Sequence, residues 1–207
     1  MTTQTPPSRP TVYDAFAPHY ERALRPLERL LLARLRAATL RALDGGGVGG
    51  HLLEIGAGTG LNFPHYPHGA HGAATEPSRE MLRLAQTKPR PAGVCLVQNS
   101  AEALPFADDT FDAAFATLVF CSVASPPRAF AELRRVVRAG GRVVLLEHVR
   151  PSGLLGHVFD ALSFFTVRLF EDHFNRRTAH EARRAGLRVI SVEPHALGII
   201  QLIVCEV

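Results

Sequence analysis

Three glycines and one carboxylate are the residues of this chain whose types and spacing point most directly to chemistry. The run from Leu52 to Gly60, Leu-Leu-Glu-Ile-Gly-Ala-Gly-Thr-Gly, predicts a short buried strand that ends in a glycine turn. Glycine permits positive φ there and lets a ligand lie against bare backbone. Glu76 follows Gly56 by twenty residues and ends a second apolar run, a separation that suits the two hydroxyls of a ribose. We interpret this pattern as half of a nucleoside-cofactor site.

The position of the third glycine argues against a nicotinamide cofactor. The fingerprint G-x-G-x-x-G would place Leu61 where its last glycine belongs, whereas the chain reads E-x-G-x-G-x-G and ends on Gly60. The following Asn62-Phe63-Pro64 is poorly suited to bring a helix N-terminus close to a pyrophosphate. The residues therefore disfavour a dehydrogenase.

Strands that alternate with helices are expected to position this turn. Short apolar runs predict five successive strands, at 51–55, 72–76, 94–98, 111–117 and 142–147. Helices are predicted after Ser78, from Pro126 to Val137 and from about Asn175 to Ala185. The alternation predicts an α/β fold with a doubly wound, mostly parallel sheet and helices on both faces. The last two apolar runs, 187–192 and 197–207, predict an antiparallel hairpin at the sheet edge.

The chain before the first strand predicts a helical cover. Residues 1–10 are rich in Pro, Thr and Ser and are expected to be disordered, with 11–207 forming a single domain. Within 11–43 we expect a short helix and then a longer amphipathic one. The second helix carries leucines near helical spacing: Leu24, Leu27, Leu31, Leu35 and Leu40.

Charge and cysteine content narrow the class of protein. The 207 residues carry a net charge of +4, and residues 1–43 hold seven Arg against three acids. Basic flanks fit a solvated surface or contact with anionic lipid; nucleic-acid-binding signatures are not found, so no nucleic acid is expected as partner. Cys95, Cys121 and Cys205 lie far apart in apolar runs and are expected to be buried and reduced. With no signal peptide recognised, we expect a cytoplasmic protein, either free or peripheral to the inner membrane surface.

Three histidines are spaced along one side of a predicted turn. His65, His68 and His71 could bind a metal at that spacing. Pro67 and Gly69 favour a loose surface loop instead, so no metal site is predicted.

Several spaced segments together resemble the class I S-adenosylmethionine (SAM) methyltransferases over about residues 11–150. E-x-G-x-G-x-G is similar to their motif I, and Glu76-Pro77-Ser78 to their ribose-binding strand end. Residues 99–106 resemble the family's adenine loop, residues 133–141 its post-helix turn, and Tyr13 to Tyr20 the segment that covers the cofactor. The resemblance implies a Rossmann-like, seven-stranded sheet, SAM as cofactor and S-adenosylhomocysteine as product.

The same resemblance implies a set of cofactor-binding residues. In the adenine loop the usual Asp or Asn is replaced or shifted, so the backbone of Ala101 is the preferred contact there. The full set is Tyr13, Tyr20, Glu54, Gly56, Ala57, Gly58, Gly60, Asn62, Glu76, Pro77, Ser78, Met81, Ser100, Ala101, Glu102, Thr117 and Leu118.

A narrower likeness concerns the acceptor side. Residues 117–123, 147–149 and 173–178 are similar to the methyltransferase-like 7 group, which implies a small apolar thiol or a lipid-like acceptor; a quinone, phenol or amine is the alternative. The implied substrate-binding residues are Phe164, His173, Asn175 and Arg176. The apolar run 151–170, part of an acceptor-side segment 151–178, fits a lid, a peripheral membrane contact or a helix packed on the sheet.

Positioning supplies most of the catalysis when a methyl group leaves a sulfonium, and a base assists only acceptors that must lose a proton. His148 is the leading candidate for that base because it follows the fifth strand, and ligands bind beyond the carboxyl ends of such strands. Glu147 could orient it; alternatively, His148 only fixes the loop. Cys121 is expected to be a core residue rather than a nucleophile. The predicted function is a SAM-dependent methyltransferase, with a SAM-binding regulatory module as the alternative.

Overall fold

The computed structural model describes residues 12–43, 50–149 and 176–207. The predicted N-terminal tail 1–10, the apolar run 151–170 and the residues Phe164, His173 and Asn175 lie outside the described residues.

The described residues form a seven-stranded sheet in the order β3-β2-β1-β4-β5-β7-β6. The first five strands pair in parallel, and β7 is antiparallel to both β5 and β6. This confirms the predicted fold, including the antiparallel C-terminal hairpin. The strands are β1 (His51–Ile55), β2 (His71–Glu76), β3 (Gly93–Gln98), β4 (Phe111–Thr117), β5 (Val137–His148), β6 (Arg188–His195) and β7 (Ile200–Glu206).

Helices flank the sheet on both faces. They are α1 (Val12–Leu27), α2 (Ala33–Arg41), α3 (Arg79–Gln86), α4 (Pro126–Val136) and α5 (Thr178–Arg184), with a π segment (Glu28–Leu32) between α1 and α2 and 3₁₀ turns at Phe63–His65 and Ala196–Gly198. None of the described helices is long and apolar enough to cross a membrane.

The N-terminal cover is one helical run rather than the two helices expected. The π segment Glu28–Leu32 joins α1 directly to α2. A π turn holds more residues than an α turn, so it shifts the phase of the apolar face. Leu27, expected on that face, is 43% exposed, whereas Leu32 is fully buried. The leucine pattern was therefore right for Leu35 and Leu40 and wrong for Leu27.

The core divides between the two faces of the sheet because side chains alternate along each strand. On the α4 face, Ala114, Ala116, Val143 and Leu145 pack with the helix. On the α2 face, the buried side chains of the same central strands and of the helical cover pack together: Leu32, Leu35, Phe115, Val144 and Leu146. Burying each such side chain contributes about 1.5–3 kcal/mol, so the cover belongs to the core as much as α4 does.

The junction of α4 and β5 differs from the prediction. Helix α4 ends at Val136, and Val137 is already the first residue of β5, paired with Phe111. Gly140, expected in the turn after the helix, instead lies inside the strand, where it has a φ of +75° and the register shifts. At the other end, α5 begins at Thr178 rather than near Asn175.

The cysteine prediction was wrong for one of three residues. Cys121 and Cys205 are buried, but Cys95 is exposed. Cys95 lies on β3, the edge strand, where alternate side chains point to solvent.

Candidate functional site

The glycine turn after β1 adopts the conformation that its composition predicts. Gly56, Gly58 and Gly60 have φ values of +67°, +55° and +82°. A Cβ added to Gly56 would lie 2.5 Å from the Val119 side chain, and one added to Gly60 would lie 2.4 Å from the Phe63 ring. A Cβ on Gly58 would meet nothing within 4 Å. Two of the glycines are therefore required by packing, while Gly58 faces open space, as a cofactor cradle requires.

The carboxylate of Glu76 lies beside that open space. Its Oε2 accepts a hydrogen bond of 2.9 Å from the Gly58 N–H, and its Oε1 accepts one of 2.9 Å from the Ser78 N–H. Glu76 is 6% exposed, and burial raises its pKa to about 7 although these two backbone donors oppose the shift. A carboxylate has about four lone-pair sites, so both oxygens can still accept the hydroxyls of a ribose.

Ser78 ties this carboxylate to the N-terminal cover. Its hydroxyl caps α3 by accepting the Met81 N–H at 3.2 Å, and donates to Asp14 Oδ1 at 2.7 Å. Asp14 also accepts the Glu80 N–H at 3.2 Å. The start of α1 is thereby held against the start of α3, next to Glu76. Tyr20 of α1 is half-buried, whereas the side chain of Tyr13 lies outside the described part of the structure.

Three carboxylates spaced seven residues apart attach the cover to the site. They are Asp14, Glu21 and Glu28, which are all the acidic residues of the first 43. Glu21 accepts a 2.5 Å hydrogen bond from Lys88, which reaches Thr59 of the glycine turn at 3.4 Å. Seven residues make about two helical turns, so the three carboxylates share one face of the helix. Asp14 joins that face to the start of α3 and Glu21 joins it to Lys88, whereas Glu28 bonds to Arg36 within the cover.

The third carboxylate holds a buried arginine. Arg36 is 3% exposed, and its Nε donates to Glu28 Oε1 at 2.9 Å. Its Nη1 donates to Asn62 Oδ1 at 3.0 Å and to Thr117 Oγ1 at 2.6 Å. Helix α2 is thus joined to the residue that follows the glycine turn and to the last residue of β4.

Glu54 of β1 belongs to the same hydrogen-bonded network. It is fully buried in β1, where Oε1 accepts from Asn62 Nδ2 at 2.5 Å and Oε2 accepts from the Tyr66 hydroxyl. Burial raises the pKa of Glu54 against the opposing hydrogen bonds and the charge of Arg36. The predicted cofactor residues Glu54, Asn62 and Thr117 therefore contact one another beneath the turn. Sequence reasoning named all three but missed Arg36, which connects two of them.

A cleft of about 190 Å³ opens on the opposite side of the turn. Five predicted cofactor residues line it: Gly56, Pro77, Ser100, Ala101 and Glu102. The Glu102 carboxylate accepts from the Ser100 hydroxyl and, at 3.1 Å, from the Ser125 N–H. Glu102 therefore braces the wall of the cleft and leaves the Ala101 backbone at its surface.

Asn99 is a cleft residue that sequence reasoning missed. Its Oδ1 is buried and, within the described residues, accepts no hydrogen bond. A buried orphan acceptor is costly unless a ligand satisfies it, and an adenine amino group is a suitable donor. Asn99 is therefore a candidate for the shifted Asp or Asn of this loop, one position before Ser100.

The carboxyl end of β4 is strained. Leu118 has a φ of +59°, which is unusual for a residue with a side chain, and its N–H donates to Leu146 O at 2.7 Å. Such strain persists where the surroundings enforce it and is common at ligand sites. The predicted contact residues Thr117 and Leu118 thus mark the point where β4 meets the site.

Glu147 has a different partner from the one predicted. Its Oε1 accepts the N–H groups of Val119 and Phe120 at 3.0 and 3.1 Å. Consecutive residues of a strand face opposite sides of the sheet, and through these two hydrogen bonds Glu147 supports the loop after β4. That Glu147 orients His148 stays a prediction.

His148 lies on the face of the buried network. It ends β5, two residues after Leu146, which is in register with Thr117 of β4. Alternation places Leu146, His148 and Thr117 on the α2 face. A proton acceptor in this position would stand at the same edge of the sheet as the glycine turn.

Of the predicted substrate-binding residues, Arg176 is described. Its Nη2 donates to Val123 O at 2.9 Å, and Val123 lines the cleft. The chain therefore returns to the site after residue 175. Within the described ranges, no three His, Cys, Asp or Glu side chains form a group that could hold a metal ion.

The interaction of Glu147 with the loop has a measurable consequence. We expect Glu147→Ala to lower the free energy of unfolding by about 3 kcal/mol, because two buried N–H groups lose a charged acceptor. For a chain of this size that lowers the melting temperature by roughly 6–12 °C in calorimetry. Glu147→Gln keeps one acceptor oxygen and should lose less than half as much. If Glu147 were instead a catalytic carboxylate, Glu147→Gln would lose activity while its free energy of unfolding stayed nearly unchanged.

Comparisons with known proteins agree on one family. A family model described as a methyltransferase domain matches residues 53–145. The chain is 39% identical to a phosphatidylethanolamine N-methyltransferase of Cereibacter sphaeroides, covering 72% of this chain and 76% of that protein. It is 30% identical to a thiol S-methyltransferase of Mus musculus, covering 69% and 62%. It is 36% identical to a demethylmenaquinone methyltransferase of Thermobifida fusca, covering 66% and 59%, so it spans about three fifths of the latter two relatives.

A solved structure supports the same fold. The crystal structure of a SAM-dependent methyltransferase from Thermotoga maritima superposes with a TM-score of 0.71 at 24% identity, covering 94% of this chain and 98% of that one.

Proposed function

Because the chain belongs to the SAM-dependent methyltransferase family, we propose that it transfers a methyl group from SAM to a small apolar or amphiphilic acceptor, either a thiol or a lipid-like molecule. One observation carries the proposal. Gly58, at a φ of +55°, faces open space directly beside the buried carboxylate of Glu76.

The residues present fit the cofactor. SAM supplies a methyl group already activated by a sulfonium. Glu76 would accept the ribose hydroxyls, and Asn99 Oδ1, orphaned in the described structure, would accept the adenine amino group. Gly58 leaves room for the atoms of SAM that connect its ribose to its amino-acid end. The protein's part in the reaction is then to position the acceptor in line and to exclude water.

The relatives suggest three classes of methyl acceptor. Their names give a phospholipid amine, a thiol and a quinone precursor. The first and third of these are lipid-soluble molecules, and an apolar acceptor accords with the concentration of apolar residues in 151–170. A peripheral contact of that segment with a bilayer is part of this proposal.

An acceptor screen tests the proposal directly. Methyl-labelled SAM is incubated with the protein and a panel of alkyl thiols, amines, phenols, reduced quinones and phosphatidylethanolamine. The lipid is presented both in vesicles and as a soluble short-chain form. Turnover of a thiol or lipid is the expected result, and faster methylation in vesicles would support the bilayer contact. Binding of SAM without turnover across the panel would favour a regulatory module instead.

His148 should matter according to the acceptor. We expect His148→Ala to slow an amine acceptor by about 100-fold, the lower range for general-base catalysis, and a thiol by less than tenfold. A thiol of pKa near 8.5 supplies its own anion. The measurement is the ratio of kcat/KM for the two acceptors in both proteins, with His180→Ala on α5 as an exposed control. An equal loss for both acceptors would leave His148 with positioning alone.

A further inference from the structure

Arg36 has unused hydrogen-bonding capacity at the centre of the buried network. A guanidinium carries five N–H donors, and the Nε and Nη1 groups of Arg36 satisfy Glu28, Asn62 and Thr117. Within residues 12–43, 50–149 and 176–207, its Nη2 donates to no acceptor. The Arg36 residue as a whole is 97% buried, but Nη2 is not among the fully buried atoms that lack a partner, so its two N–H groups reach an accessible surface where a ligand atom can accept them.

Thr117 has a second unused donor at the same point. Its Oγ1 accepts from both Arg36 Nη1 and Asn62 Nδ2, at 2.6 and 2.9 Å. With both lone pairs occupied, its own O–H must point away from these two donors. No acceptor for it is found in the described part of the chain, and Thr117 is 6% exposed. The two unused donors therefore belong to side chains that are themselves hydrogen-bonded to each other.

The sheet topology places these donors on one side of the glycine turn and the cleft that Ala101 lines on the other side. Ala101, which lines that cleft, packs in the cluster on the α4 face. Thr117 follows the alternation of Phe115 and faces α2 instead. A ligand with its nucleoside in the cleft and its ribose at Glu76 therefore extends its other end towards Arg36.

The chemistry at this end calls for an anion. Arg36 has a fork of donors suited to a carboxylate, and the Thr117 hydroxyl adds a neutral donor. Glu28 fixes the fork from the opposite side through Nε. The α-carboxylate at the amino-acid end of SAM has the acceptor oxygens that these donors need, whereas the α-ammonium beside it is itself a donor and does not bind to them.

We propose that Arg36 and the Thr117 hydroxyl bind the α-carboxylate of the cofactor's amino-acid end, with Glu28 as the residue that positions Arg36. This inference rests on the proposed function, because it takes SAM as the ligand. It assigns the N-terminal cover a direct part in cofactor recognition. The Glu28 contact then connects the π segment to the residue that binds the cofactor.

The test compares S-adenosylhomocysteine with its decarboxylated analogue, which differs only in the carboxylate. By calorimetry, wild type should bind S-adenosylhomocysteine about 10- to 100-fold more tightly than the analogue, the range for charged hydrogen bonds. Arg36→Met should reduce that ratio to below about threefold while leaving the affinity for the analogue nearly unchanged. Arg34→Met, an exposed arginine on the same helix, should keep the wild-type ratio.

Two results would overturn the assignment. The first is a wild-type ratio below about twofold, which needs no variant. The second is an equal loss of affinity for both ligands in Arg36→Met, which would make Arg36 a structural residue. Arg36→Met leaves Glu28 unpaired, and this could unfold the cover. The double variant Glu28→Gln with Arg36→Met is therefore measured as well, and it should give the same low ratio of the two affinities. Failure of wild type to bind S-adenosylhomocysteine or SAM would refute the proposed function itself, whereas binding with an unchanged ratio refutes only the role of Arg36.

Discussion

Glu76→Gln should weaken S-adenosylhomocysteine binding by about 10- to 100-fold and remove most of its dependence on pH. The carboxylate accepts the N–H groups of Gly58 and Ser78, one on each oxygen. An amide turns one oxygen into a donor, which opposes one of these N–H groups and cannot accept a ribose hydroxyl. Losing charged hydrogen bonds of about 1.5–3 kcal/mol corresponds to that range of affinity.

The pH dependence follows from the pKa of Glu76, which burial raises to about 7. The ionised form is the better acceptor, so affinity should increase about tenfold from pH 6 to pH 8 and level off above the pKa. The stability of the free protein should change in the opposite direction. Between pH 4.5 and 7 the native state binds more protons than the unfolded state, so this group lowers stability as pH rises, by about 3 kcal/mol over the window.

Calorimetry and melting curves at pH 6, 7 and 8 measure both effects. Glu80→Gln is the matched control, because Glu80 lies four residues after Glu76, on α3, in an exposed pair with Arg83. It should bind S-adenosylhomocysteine as wild type does, with the same pH profile. A Glu76→Gln protein that kept the wild-type pH profile would show that another group titrates, and an affinity within twofold of wild type would remove Glu76 as the ribose ligand.

The glycine turn and Glu76 were predictable because their chemistry is local. Positive φ at three glycines and one acidic residue at a strand end are properties of short segments, and the parallel order of the strands brings them together. The strand bounds at 51–55 and 111–117 followed from apolar runs with clear ends.

The buried network was not predictable in the same way. Arg36 meets Thr117 across 81 positions of sequence, and nothing in its neighbourhood distinguishes it from the other arginines of the cover. Its partner Glu28 did carry a signal. The acidic residues of the first 43 lie only at 14, 21 and 28, and a seven-residue period on a helix indicates a shared face.

The prediction that Glu147 orients His148 treated two sequence neighbours as partners. Once both are assigned to β5, strand alternation sends them to opposite faces. The sequence placed the strand end at Glu147, one residue short, which made His148 part of a loop that could fold back. The longer strand includes His148 as its last residue, on the face opposite to Glu147.

Gly58→Val should reduce cofactor affinity by at least about 100-fold while leaving the fold intact. The glycine has a φ of +55°, and its missing side chain would enter open space beside Glu76. Valine there fills that space with three carbons, and overpacking a closed contact costs more than the roughly 2.7 kcal/mol that a 100-fold loss represents. Gly56 would be a poorer choice, because its Cβ would collide with Val119 and disturb the core.

The loss must be separated from backbone strain, since any side chain at positive φ costs about 1–2 kcal/mol. Gly69 provides the matched control: its φ is +72°, and an added Cβ likewise meets nothing within 4 Å, but it lies on an exposed turn before β2. Gly69→Val should lower the melting temperature about as much as Gly58→Val and leave the affinity for S-adenosylhomocysteine within twofold of wild type. If the two variants lost affinity equally, strain would be the cause. If neither did, the open space at Gly58 would not be the place where the cofactor lies, and the ribose assignment to Glu76 would fail with it.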